Sequence, residues 1–110
     1  MRVIAGEAKG RLLVVAKGGG TRSATDRIRE TLFAILEPVL DGAVVLDLFA
    51  GAGTLGIEAL SRGASRATFV EQAAPAIAAL RQTLEVTGLT ARARNDRAAG
   101  RRFRDGPVTE

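Results

Sequence analysis

The stretch from Val44 to Glu58, V-V-L-D-L-F-A-G-A-G-T-L-G-I-E, constrains the fold more than any other part of the chain. Val44 to Leu48 is a near-continuous apolar run interrupted only by Asp47, with the length of a strand buried on both faces. It breaks into a turn spaced by Gly51, Gly53 and Gly56, where helical periodicity begins: Leu55, Ile57, Ala59 and Leu60 give a helix over Thr54 to Arg62, closed by Gly63. A strand, a glycine turn and a helix in this order open an α/β sheet. Ligands of such sheets bind beyond the carboxyl ends of the strands, so the glycines stand where backbone amides can approach a ligand closely.

The segments after this unit repeat its logic. Thr68 to Val70 reads as a second short strand ending at Glu71, and Pro75 opens a helix with Ile77, Leu80 and Leu84 inward and Gly88 as its stop. Strand, helix, strand, helix implies parallel strands with right-handed crossovers. A third strand should occupy Ala91 to Arg94, yet A-R-A-R cannot bury two faces, so at best a weak edge strand is expected before an Arg-rich tail. With a neighbour missing on one side, the Val44 to Leu48 strand would expose a hydrophobic edge.

The preceding segments look preparatory. Arg2 to Ala5 and Leu12 to Val15, separated by G-E-A-K-G, suit a two-stranded hairpin, with Lys9 and Arg11 at its turn and Lys17 beside Gly18-Gly19-Gly20. From Thr25 or Asp26, either of which can cap it, a helix carries Ile28, Leu32, Ile35 and Leu36 on one face until Pro38 stops it. Arg27 and Arg29 fall off that face, toward solvent or a ligand.

Composition narrows the chemistry. A chain of 110 residues makes one domain with a thin core. Its formal charge of +4, carried almost wholly by Arg, favours a polyanion such as RNA but equally fits an ordinary basic surface. With no Cys and no His, disulfides, thiolates, imidazole bases and the usual zinc sites are excluded, and no metal is expected. The N-terminus lacks a signal-peptide core and no apolar run reaches membrane length, which reads as cytoplasmic.

Two acids decide what the glycine turn holds. Its spacing also fits dinucleotide enzymes, and Glu71, about twenty residues past Gly51, could accept hydrogen bonds from ribose hydroxyls of NAD or S-adenosylmethionine alike. Asp47 discriminates: a carboxylate four residues ahead of Gly51 would repel a pyrophosphate, but suits the sulfonium and α-ammonium groups of S-adenosylmethionine.

The run V-L-D-L-F-A-G-A-G-T-L-G-I-E-A-L-S-R-G-A resembles the first motif of class I S-adenosylmethionine-dependent methyltransferases, whose fold is a Rossmann-like sheet. In this detail, and in the more diagnostic R-V-I-A-G-x-x-K-G-R-x-L and T-R-x-x-T-D-R-I-R-E-x-L-F-x-I-L, the chain is similar to the RsmD-type family, which methylates the exocyclic amine of a guanine in small-subunit ribosomal RNA. The resemblance runs from Met1 to about Leu89. It implies that Asp47 and the backbone of Phe49, Ala50, Gly51 and Gly53 hold the methionine moiety, that Glu71 binds the ribose, and that Gln72 and Asp96 lie by the adenine. It implies further that Arg22, Arg27 and Arg29 lie near cofactor and RNA, beside which the basic hairpin turn with Lys9 and Arg11 reads as an RNA-facing arm rather than an ordinary solvated hairpin.

The chain departs from the family at Ala16 and Ser23, where proline is usual, and in having no Asp/Asn-Pro-Pro-Tyr or -Phe motif. In the family that acid or amide accepts a hydrogen bond from the guanine amine while the ring stacks on the flipped base. No catalytic residue is therefore assigned. The organisation expected is a basic hairpin arm over 1–24, the first half of a methyltransferase α/β domain over 25–94, and an Arg-rich tail over 95–110, together a monomeric fragment inactive alone. Two other readings stay open: a cofactor- and RNA-binding module without catalysis, and a methyltransferase for adenine or protein.

Overall fold

A computed structural model of the protein describes residues 2–14, 26–48, 50–51 and 53–96. The elements are α1 (Asp26–Leu40), β1 (Val44–Asp47), α2 (Thr54–Ser61), β2 (Arg66–Val70), α3 (Ala74–Thr87), a short 3-10 turn (Thr90–Arg92) and β3 (Ala93–Asp96). The strands pair in parallel in the order β1-β2-β3, with Leu46 opposite Thr68 and Thr68 opposite Arg94. The expected α/β sheet is thus present. The Lys17 and triple-glycine loop and the tail beyond Asp96 lie outside the described residues.

Alternation along the strands puts Val45, Ala67, Phe69 and Ala93 on one face, and there they join the core with Phe33, Ile57, Leu60, Leu80 and Leu84. Toward the other side Val44 stays 64% exposed and Leu46 43%. β1 is therefore not buried on both faces: among the described residues it pairs with β2 alone, and its hydrophobic edge is open.

Helix α1 differs from its expected packing by one residue. Arg29, Phe33 and Leu40 are buried and Leu36 packs against the core, whereas Ile28 and Ile35 are 57% and 71% exposed. The inward stripe still runs at i, i+4, i+7 and i+11, but it starts at Arg29. The reason is polar: the Arg29 guanidinium is drawn to the wholly buried carboxylate of Glu58 on α2, at 3.2 Å, and Phe33 beneath it meets the guanidinium of Arg62, 5.0 Å from its ring centre. The helix also passes Pro38 and ends at buried Leu40, since a proline in the last turn forfeits one hydrogen bond at most.

Among the described residues the N-terminal hairpin shows one antiparallel bridge, between Arg2 and Leu12. Val3 N–H still donates across to Arg11 O, but the N–H groups of Ile4 and Ala5 leave the ladder and donate to the two oxygens of Glu58. Ser61 completes the seam, its hydroxyl accepting from Ala8 N–H and donating to Ala5 O. The third strand begins at Ala93 and not at Ala91, because Arg92 closes the 3-10 turn: it donates to Leu60 O and Ala64 O at the end of α2, and to Glu7.

Candidate functional site

The carboxyl ends of the three strands gather the expected cofactor residues. Asp47 ends β1, Glu71 follows β2 and Asp96 ends β3; Glu71 N–H donates to Asp96 O at 3.0 Å, and Ala50 N–H to Val70 O at 3.2 Å. Asp47 and Leu48 also border a hollow of about 250 Å³ between α1 and β1, whose remaining walls are apolar, among them Leu32, Phe33 and Leu55. Gln72 is exposed beside Glu71. Phe49 lies outside the described residues.

The three glycines of the turn divide into two roles. Gly51 adopts a left-handed φ of 56°, and a side chain there would project into open space. Gly53 and Gly56 face inward: a Cβ on Gly53 would strike Leu80, and one on Gly56 would overlap the ring of Phe69. Of the three, only Gly51 has open space where its side chain would be. The others let α2 settle on β2 and α3.

Glu71 is already engaged. One carboxylate oxygen accepts the Gly51 N–H at 2.8 Å, and the other accepts Gln72 N–H at 3.1 Å and Ala73 N–H at 2.9 Å. The carboxylate thus joins the loop after β1 to the loop after β2.

Of the cations expected at RNA, Lys9, Arg11 and Arg27 are exposed, and Arg22 lies outside the described residues. Arg29 departs from expectation: it is 0% exposed, donating to Glu58 and, at 2.8 Å, to Arg2 O, so its charge faces the interior. Lys9 and Arg11 belong to a hairpin whose turn rests on Ser61 at the far end of α2 from Gly53, about 12 Å along the helix at 1.5 Å per residue.

Sequence reasoning passed over Glu58, Ser61 and Arg62, which bind the hairpin and α1 to the helix that starts at the glycine turn. A signal was present. Their spacing of i, i+3 and i+4 places three polar groups on one side of an otherwise apolar helix. Among the described residues no cluster of acids could hold a metal, and no helix is long and apolar enough to cross a membrane.

The parallel sheet, its glycine turn and the acids at its carboxyl edge fit the Rossmann-like methyltransferase class, and solved structures agree: Escherichia coli yhhF superposes with a TM-score of 0.80 at 41% identity, over 94% of this chain and 55% of that one. The family described as "Conserved hypothetical protein 95" matches residues 1–106. The chain belongs to that family, the RsmD-type methyltransferases to which its motifs point. It is 54% identical over 71 residues to Ribosomal RNA small subunit methyltransferase D of E. coli (strain K12), covering 64% of this chain and 36% of the relative. Against YlbH of Bacillus subtilis (strain 168) it is 46% identical over 99 residues, 87% of this chain and 54% of the relative. The chain spans about half, or less, of the length of these relatives.

Proposed function

We propose that this chain is the cofactor-binding half of an S-adenosylmethionine-dependent methyltransferase that acts on the exocyclic amine of a guanine in small-subunit ribosomal RNA. The observation that carries this is the convergence of Asp47, the open Gly51 backbone and Glu71 at one edge of the sheet. Asp47 would meet the cationic methionine end, Gly51 would approach it through bare backbone, and Glu71 would meet the ribose, with Gln72 and Asp96 toward the adenine. S-Adenosylmethionine supplies an electrophilic methyl group on a cationic sulfur. The protein's part is to hold that methyl in line with the guanine nitrogen, since positioning supplies most of the rate.

Lys9, Arg11 and Arg27 form the RNA-facing charge in this reading, and the cytoplasm is where such a substrate is met. The base-side groups, an acid or amide for the guanine amine and an aromatic ring for stacking, come from outside this chain. The purified chain is therefore expected to bind S-adenosylhomocysteine by calorimetry and to transfer no methyl group to small-subunit RNA. Absence of binding would sink the cofactor assignment; turnover would sink the assignment as half of a catalytic centre.

A further inference from the structure

We infer that Glu71 is a positioning residue for the glycine turn as well as a ribose ligand, so that it sets the cofactor site before any cofactor arrives; this rests on the cofactor reading above. Outside its own chain neighbours no heavy atom lies within 4 Å of where a Gly51 side chain would be, so packing at that position does not hold the turn. A hydrogen bond holds it instead. The Gly51 N–H does this by donating to Glu71 at 2.8 Å, a charge-assisted bond across 20 residues of chain, while Gly53 N–H closes the turn onto Ala50 O.

The other oxygen of Glu71 is fixed by Gln72 and Ala73 N–H at the entry to α3, which has no side-chain cap of its own. A carboxylate offers about four lone-pair directions, and three are spent on backbone donors. Ribose hydroxyls must then use what remains, so ribose binding and turn geometry are read by one group. Preorganisation of this kind lowers the ordering cost of binding for every part of the ligand, the methionine end included.

The two roles separate with a ligand that has no hydroxyls to offer. S-Adenosylhomocysteine and its 2′,3′-dideoxy analogue are titrated into the full chain, into Glu71→Ala and into Glu71→Gln. Loss of a charge-assisted hydrogen bond predicts that Glu71→Ala weakens the dideoxy analogue by roughly tenfold or more, with Glu71→Gln intermediate. Equal binding of the analogue to wild type and Glu71→Ala would overturn the inference and leave Glu71 a ribose ligand only. Amide exchange without ligand gives an independent reading: the Gly51 amide should exchange roughly tenfold faster in Glu71→Ala while that of buried Phe69 is unchanged. An unchanged Gly51 rate overturns the inference too. If wild type binds neither ligand, the cofactor assignment fails, and the exchange experiment still decides the positioning role.

Discussion

Gly51 and Gly56 share a motif but are glycine for different reasons. A methyl at position 56 must enter the ring of Phe69, which is 0% exposed, so Gly56→Ala should cost about 1–3 kcal/mol, the usual range for overpacking a core. A methyl at position 51 meets nothing; its cost is the left-handed φ of 56°, about 1–2 kcal/mol, together with the ligand's approach. Thermal melts with and without S-adenosylhomocysteine should therefore show Gly56→Ala melting low but still gaining stability from ligand, and Gly51→Ala melting closer to wild type and gaining little. Spacing alone could not make this division, because the pattern reports where side chains are absent and not what would have collided with them.

At the level of elements, the strand, turn and helix from Val44 to Ser61 were legible because hydrophobic periodicity and glycine punctuation are local properties. The face of α1 was not. Counting apolar residues selects Ile28, Leu32, Ile35 and Leu36, and a rule that sends arginine outward cannot foresee a buried Glu58 on a helix not yet folded against it. The short reach of the hairpin's ladder was illegible for the same reason, since it gives way to bonds that two later residues, Glu58 and Ser61, accept. Its exposed turn makes a separate prediction. Lys9→Ala with Arg11→Ala should lower the slope of log affinity for RNA against log salt by roughly one to two, one phosphate contact per cation, and leave S-adenosylhomocysteine affinity unchanged. Filter binding over a salt series measures the first and calorimetry the second.

Across the whole molecule, apolar side chains are left uncovered on α1 and on the open strand: Ile35 and Val39 are 71% and 70% exposed, Val44 64% and Leu46 43%. Exposure of that order on neighbouring elements marks surface suited to burial against more protein. Ile35→Glu with Leu46→Lys should lower binding of a hydrophobic dye such as anilinonaphthalene sulfonate without lowering the melting temperature, because neither side chain belongs to the buried core; unchanged dye fluorescence would show that the dye sits elsewhere. The Glu58 carboxylate, finally, sets an order of events. It lies 54 residues from Ile4, so on a growing chain the hairpin emerges long before the group that will hold it and must wait, unstructured or unattached, until α2 has formed. Bonds that close so long a loop should form late, and replacing the buried carboxylate that anchors Arg29 should cost about 3–5 kcal/mol. Stopped-flow measurements on Glu58→Ala should find that loss mainly as faster unfolding, with refolding little slowed. The protein's first residues would then be among the last to find their place.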